Sequence, residues 1–146
     1  FNSQNGVLLW DNKFADDGAV NRLTIGGQGY LGIRKEPSDN RITFYTANSS
    51  FVELVVFSNE ITTSLQNKIA GRYNSTTADL WINGINYGSN TSSLASSFSG
   101  LSYEDTRFNK TKSIQHYDYL SDLEMEQLTG YDSYSAMTSQ FNFNIL

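Results

Sequence analysis

The feature that most constrains this chain is an alternating stretch at residues 67–90. Apolar Ile69 and Tyr73 lie on one side of an extended backbone there. Charged Lys68 and Arg72 lie on the other side, so apolar and polar residues repeat every two positions. This period is that of a β-strand with one face in the interior and the other in solvent. The stretch therefore begins with a strand whose charged face we expect to be exposed.

Two turn signals divide the rest of this stretch. Asn83-Gly84 is a favoured pair in type I′ hairpin turns, which need left-handed backbone at both positions. Residues 74–77, Asn-Ser-Thr-Thr, form a second turn by composition. Between the turns Leu80 and Ile82 share one face, and Trp81 takes the other. The stretch thus predicts three consecutive antiparallel strands.

Further strand signals recur along the chain. Residues 7–10 are a continuous apolar run, which is typical of a strand buried on both faces. The most apolar segment, residues 51–57, predicts a central strand. Such segments follow one another about every ten residues without a repeated βαβ unit, as in antiparallel sandwiches. The pattern therefore predicts an all-β chain.

One short helix is predicted near the carboxyl end of the chain. Ser121 is followed three residues later by Glu124, which is the spacing of a capping box. Gly130 suits the left-handed position just after a helix. The apolar residues between them form a stripe that we expect to face the protein: Leu123, Met125 and Leu128.

Composition excludes several classes of function. The 146 residues suit one domain, and 10 Lys and Arg against 15 Asp and Glu give a net charge of −5. Because nucleic-acid binding needs a basic surface, we expect no nucleic-acid partner. No run of about 18 apolar residues is present, so we expect no membrane insertion. Without cysteine the chain has no disulfide framework and no thiolate metal site.

Two stretches carry a family resemblance. The first is Lys68-Ile69-Ala70 with Arg72-Tyr73 and, after the turn, Asp79-Leu80-Trp81-Ile82-Asn83-Gly84. It resembles the central hairpins of laminin-G-like, concanavalin A-type jelly rolls, above all those of phage tail proteins. The second comprises residues 112–117 and 120–129, which resemble the last strand and the short closing helix of the same domains.

The resemblance implies a fold and its extent. The fold is an all-β antiparallel β-sandwich, a concanavalin A-like jelly roll with one short C-terminal helix. It forms a single laminin-G-like domain over residues 1–146. These jelly rolls begin with a strand upstream of anything that matches residues 6–10. We therefore expect that one N-terminal strand is missing from this chain or is supplied by another segment.

The resemblance also implies a function. The expected role is that of a non-catalytic carbohydrate-binding module of a phage tail or virion protein, attached to host cell-surface glycans. Its partners would be those glycans and other subunits of the tail, as a homo-oligomer, in the virion or outside the cell. The alternative is a structural knob or spacer that mediates contacts between subunits of a virion or secreted assembly.

Catalytic residues are not evident in the sequence. Relatives that cleave glycans place two or three carboxylates at alternate positions of one strand, and no such run occurs here. Glu124 and Glu126 are two apart on a helix, so they point to different sides. His116, the only histidine, is expected on the solvent side of its strand, and Ser121 serves as a helix cap. We therefore predict that the chain is not an enzyme.

Sugar recognition needs a flat apolar face bordered by groups that pair with hydroxyls. Trp81 is the best single candidate, because alternation turns it away from Leu80 and Ile82. Alternatively, these aromatic residues cover the edge of the core or face a partner subunit. The other candidates are Tyr45, Arg72, Tyr87, Trp10 and Asn12.

One loop is a candidate calcium site. Asp11, Asp16 and Asp17 place three carboxylates close together in sequence, and calcium prefers several such oxygens on irregular backbone. The regular spacing of known calcium loops is absent, and Asp-Asp-Gly is also ordinary turn chemistry. We expect no required cofactor, with calcium as the one candidate.

Overall fold

The structure, a computed structural model, describes residues 5–15, 18–25, 31–47, 53–91, 101–105 and 110–131. These residues form ten strands and one helix. Their bounds are β1 Gly6–Lys13, β2 Asn21–Ile25, β3 Leu31–Lys35, β4 Arg41–Ala47, β5 Glu53–Glu60, β6 Asn67–Tyr73, β7 Thr77–Ile82, β8 Ile85–Thr91, β9 Leu101–Asp105, β10 Lys110–Tyr117 and α1 Asp122–Gly130.

The strands form two five-stranded sheets. The first sheet has the order β10-β1-β6-β7-β8, and the second has the order β5-β4-β3-β2-β9. Every described pair of neighbouring strands is antiparallel. The predicted fold class, an antiparallel β-sandwich with one short helix, is therefore confirmed.

The three strands predicted from residues 67–90 are β6, β7 and β8. Asn83 and Gly84 connect the last two with φ angles of +50° and +84°, both left-handed as a type I′ turn requires. At the other turn the Asn74 side-chain oxygen accepts hydrogen bonds from the backbone amides of Thr76 and Thr77, at 2.8 Å each. Left-handed backbone thus defines the Asn83-Gly84 turn, and side-chain hydrogen bonds hold the turn at Asn74.

The main core fills the space between the two sheets. Leu8 and Trp10 of β1 point into it, together with Leu80 and Ile82 of β7. The sheets approach closely at Gly71, where an added Cβ would lie 2.1 Å from the ring of Phe44. Only glycine leaves room for that ring, so Gly71 sets the spacing between the sheets at this point.

A second, smaller core lies on the outer face of the first sheet. It joins Val7, Leu9, Ala70 and Trp81 of the sheet to Met125 of α1. The helix covers this face, and the molecule therefore has three layers. The strand at residues 7–10 is buried on both sides as predicted, because one face meets the second sheet and the other meets the helix.

Helix α1 begins as predicted but ends differently. The Ser121 side chain accepts from the Glu124 backbone amide, and the Glu124 carboxylate accepts from the Ser121 amide, which completes the capping box. Gly130 is the last helical residue, and extended Tyr131 provides the C-cap. Leu123 is 60% exposed, so it does not join the buried stripe, whereas Met125 is fully buried.

Strand β5 corrects a further expectation. Within the described residues it stands at the end of the second sheet rather than at its centre. An apolar run predicts burial but not the position of a strand in a sheet. Here burial is achieved at a sheet end because β5 lies beside β8 of the opposite sheet, and Val56 is buried.

The helix is also relevant to the question of membrane insertion. Among the residues that the structure describes, no helix has the length and apolar character needed to cross a bilayer.

Candidate functional site

Trp81 does not form an exposed sugar platform. It points away from Leu80 and Ile82, as alternation predicts, but it is only 6% exposed. Met125 of α1 packs over the same face and closes it to solvent. The prediction of an exposed indole is wrong, because alternation specifies a face and not what covers that face.

Arg72 was also expected in solvent, and it too is buried beneath the helix. Its Nε lies 3.2 and 3.0 Å from the two carboxylate oxygens of Asp79, and its Nη2 donates to Asp79 Oδ2 at 2.8 Å. Trp81 Nε1 donates to Asp79 Oδ1 at 2.9 Å. The guanidinium lies 5.1 Å from the ring of Tyr119. Arg72 and Trp81 are therefore brought together, but as partners of one carboxylate.

The same guanidinium also holds the helix. Arg72 Nη1 donates to the Leu120 carbonyl at 2.8 Å, and Nη2 lies 2.7 Å from Asp122 Oδ1 in the first turn of α1. Burial alone would lower the pKa of Arg72, but the hydrogen bonds to Asp79 and Asp122 outweigh it and the pKa is raised. The group stays charged and joins the sheet to the helix.

The remaining predicted sugar residues lie apart from this group. Tyr45 is buried on the second sheet, with Arg34 5.5 Å from its ring centre. Trp10 and Asn12 are buried in β1, and Tyr87 packs against the main core. These positions do not form one sugar-binding face.

Trp10 and Asn12 share one polar partner. Trp10 Nε1 donates to Thr111 Oγ1 at 3.3 Å, and this hydroxyl donates to Asn12 Oδ1 at 2.8 Å. The chain of hydrogen bonds joins β1 to β10. Both side chains are therefore used inside the fold.

The candidate calcium site is only partly described. Asp16 and Asp17 lie outside the described residues. Asp11 is 3% exposed, and its Oδ1 accepts from Gln66 Nε2 at 2.7 Å. Among the described residues no group of three or more His, Cys, Asp or Glu side chains is placed to hold a metal ion. The calcium site stays a prediction.

His116 does not face solvent as expected. It stands opposite Leu8, a residue of the main core, and is half-buried. Its Nε2 lies 2.9 Å from the Tyr73 hydroxyl. Burial lowers the pKa of His116 and raises the pKa of Tyr73 to about 12, so both groups are held neutral near pH 7.

A polar cavity lies on the outer face of the first sheet, beside the end of α1. It has a volume of about 370 Å³, and we call it the lysine cavity. Asp11 stands opposite Lys68 in the register of β1 and β6. The Lys68 ammonium group donates to the carbonyl of Tyr131. Lys112 Nζ lies 3.9 Å from Asp11 Oδ2. The lining residues are Asp11, Gln66, Lys68, Asn83, Lys112, Thr129, Gly130 and Tyr131.

A second cavity of about 320 Å³ adjoins the first, and we call it the helix cavity. The two cavities share Asn83, Gly130 and Tyr131. The helix cavity adds residues of α1 and the hairpin turn: Gly84, Leu123, Glu126 and Gln127.

A larger depression, of about 690 Å³, lies elsewhere on the sandwich. Its residues are Phe14, Asn40, Glu60, Ile61, Thr62, Thr63 and Ser64. The depression has one charged side chain, Glu60, whereas the lysine cavity combines a carboxylate, two ammonium groups and two side-chain amides. Size alone favours the depression, but the variety of hydrogen-bonding groups favours the lysine cavity.

Sequence reasoning missed most of the lysine cavity. Of its residues only Asp11 was predicted to bind a ligand, and that ligand was calcium. Gln66 directly precedes β6 and Lys68 lies at its start, and the register of β6, β1 and β10 brings Asp11 and Lys112 to them. No local motif marks these positions, because the cavity exists only once the strands pair and the helix lies across them.

Comparisons with known proteins identify solved structures that share this fold. No protein-family profile matches the chain. A search of curated protein sequences also found no match. Solved structures do match. The CBM40 of the Ruminococcus gnavus IT-sialidase bound to α2,6-sialyllactose has a TM-score of 0.67 at 14% identity, over 87% of this chain and 84% of that one.

Two toxin domains share the fold over part of their length. The binding domain of Paraclostridial Mosquitocidal Protein 1 has a TM-score of 0.66 at 14% identity, over 98% of this chain and 39% of that one. The binding domain of botulinum neurotoxin serotype D has a TM-score of 0.62 at 10% identity, over 85% and 36%. The likeness is one of fold.

Proposed function

We propose that this chain is a non-catalytic carbohydrate-binding module and that the lysine cavity holds its sugar. The observation that carries the proposal is the convergence of Asp11, Gln66, Lys68 and Lys112 on one cavity. Carboxylate and amide oxygens accept hydrogen bonds from sugar hydroxyls, and ammonium and amide groups donate to them. Tyr131 adds an aromatic ring, which can cover the apolar side of a pyranose.

The structural comparisons support the proposal. The Ruminococcus gnavus CBM40 structures hold α2,3-sialyllactose and α2,6-sialyllactose on the same fold. The two lysines against one carboxylate also give the lysine cavity positive charge in a chain whose net charge is −5. Sialylated glycans, which are acidic, are therefore the first ligands to test.

The carboxylates around the lysine cavity support a binding role without catalysis. Glycoside hydrolysis uses a pair of carboxyl groups on either side of the scissile bond. Among the described residues Asp11 is the one carboxylate that lines the lysine cavity, and Glu126 lines the adjoining helix cavity. No second carboxylate among the described lining residues faces Asp11 across the lysine cavity, so we assign Asp11 to holding a sugar hydroxyl.

The finer proposal concerns location. The sequence resemblance favours a phage tail or virion protein that attaches to host cell-surface glycans. In that setting weak sites act together, because several copies on one particle raise the effective affinity. A fluorescent tetramer of the domain should then label host cells far better than the monomer, and pretreatment of the cells with glycosidases should abolish the difference. Equal labelling by both forms would count against attachment.

The structure adds no support for the alternative of a structural knob. Trp81 and Tyr45 were the aromatic residues expected at a subunit contact, and both are buried within the chain itself.

The decisive test is binding of the whole chain to a glycan array, followed by titration calorimetry with the sugars that bind. Lys112→Ala should weaken binding about tenfold, since a hydrogen bond from a charged donor is lost. Lys110→Ala is the matched control, because Lys110 is an exposed lysine on the same strand that does not line the lysine cavity.

The two variants separate a specific site from general attraction. Loss of affinity in Lys112→Ala with wild-type affinity in Lys110→Ala supports the lysine cavity. Equal effects of both variants would show that the sugar binds elsewhere on the chain. An array with no bound glycan would overturn the proposed function.

A further inference from the structure

We propose that the sugar site continues into the helix cavity and that the domain binds an oligosaccharide of at least two sugar units. This inference rests on the proposed function. The first sugar unit occupies the lysine cavity, and the next unit occupies the helix cavity.

The two cavities share a border, and we refer to them together as the groove. Asn83, Gly130 and Tyr131 line both cavities, so the cavities lie side by side. Gly130 contributes no side chain at this junction. Backbone contact holds the junction in place, because an added Cβ on Gly84 would lie 3.1 Å from the Gly130 Cα. A chain of sugars can therefore pass from one cavity to the other along the end of α1.

Hydrogen bonds also fix the junction. The Gly84 amide donates to Thr129 Oγ1 at 2.9 Å, and that hydroxyl donates to the Met125 carbonyl at 2.8 Å. The Asn83 side-chain oxygen accepts from the Lys68 amide at 2.9 Å. The groove floor is thus preorganised by the hairpin turn and the last turn of α1, which lowers the ordering cost of binding.

The helix cavity has the groups that a second sugar needs. Glu126 and Gln127 offer a carboxylate and an amide for hydroxyls. Leu123 is 60% exposed beside them and offers an apolar contact for the carbon-bound hydrogens of a pyranose. Tyr131, which lines both cavities, lies where the two units would be linked.

The groove also explains why the site would prefer a chain over a single sugar. The cavities have volumes of about 370 and 320 Å³ and offer different groups. A single sugar in the lysine cavity leaves Glu126 and Gln127 without contact to the ligand. The 690 Å³ depression shares no lining residue with either cavity, so it is not part of this path.

The test compares single sugars with chains by titration calorimetry. The probes are sialic acid with the two sialyllactoses, galactose with lactose, and N-acetylglucosamine with its dimer and trimer. In the series that binds, the longer member should bind at least about tenfold more tightly than the single sugar. Glu126→Ala combined with Gln127→Ala should remove most of that gain and leave binding of the single sugar unchanged.

Asp118→Ala is the control, since Asp118 is an exposed carboxylate close to the helix that lines neither cavity. It should leave both affinities unchanged. Equal affinity for single sugars and chains, or an unchanged gain in the double variant, would overturn the two-unit groove while leaving the lysine cavity intact. Binding of no probe by any form would overturn the proposed function and this inference with it.

Discussion

Arg72 shows how one buried charge can organise a surface. Its guanidinium donates to Asp79 on the neighbouring strand and to the Leu120 carbonyl before the helix. Arg72 and Asp79 are both buried, so neither charge can recover its hydration if this ion pair is broken. The residue is therefore a structural link, although its sequence position suggested an exposed hydroxyl-binding group.

The buried pair leads to a prediction about stability. Asp79→Asn should lower the free energy of unfolding by about 3 kcal/mol, because it leaves the buried guanidinium with an incomplete set of charged partners. Urea unfolding followed by tryptophan fluorescence measures the effect. Asp39→Asn is the control, since its pair with Arg41 is exposed and should contribute less than about 1 kcal/mol. Equal effects would contradict the structural role.

His116 leads to a prediction about pH. Burial lowers its pKa below the ordinary value, so the unfolded chain binds a proton more readily than the folded chain. Its contribution to stability is therefore fully present above the unfolded pKa and is lost as pH falls through the folded pKa. Between pH 7 and pH 5 the free energy of unfolding should fall less in His116→Gln than in the wild type, as measured by urea unfolding at each pH. Parallel curves would show that His116 does not titrate differently on folding.

At the scale of elements, local chemistry specified most of what forms. The Asn83-Gly84 turn, the alternation of β6 and β7 and the capping box at Ser121 all appear in the structure as predicted. What local chemistry did not specify is where each element lies. The helix buries only Met125 and Thr129, so its own sequence carries a weak signal that it covers a sheet.

The capping box can be tested directly. Ser121→Ala removes the acceptor for the Glu124 amide and should lower the free energy of unfolding by about 1 kcal/mol. The loss should be measurable by urea unfolding. Ser75→Ala, in the exposed turn between β6 and β7, should change stability by no more than about 0.5 kcal/mol. A Ser121→Ala variant as stable as the wild type would show that the helix needs no cap.

At the scale of the whole molecule, the site is a product of assembly. The two-residue period and the turn signals of the sequence predicted the fold class. The lysine cavity, by contrast, forms only when β1, β6 and β10 pair in register and α1 lies across them. Trp81 illustrates the limit, since its face was predicted correctly and its exposure was not. Exposure depends on long-range packing, which no short stretch of sequence encodes.

The spacing of the two sheets gives a further prediction. Gly71→Ala should lower the free energy of unfolding by about 2 kcal/mol or more, because its Cβ would overlap the ring of Phe44. Phe44→Leu removes the ring, so the added cost of Gly71→Ala in that background should be smaller by more than about 0.5 kcal/mol. Urea unfolding of the four variants forms the cycle. Strictly additive effects would contradict this contact.

The three-layer arrangement also bears on how the molecule opens. Because the helix rests on the outer side of the first sheet, it can detach while the space between the sheets stays filled. Amide protons of α1 should then exchange with deuterium through partial opening. Strand β1 is paired on both edges and covered on both faces, so its amide protons should exchange only through global unfolding. The end of the proposed sugar groove would accordingly belong to the layer that opens first, so ligand binding should slow exchange most strongly in the helix.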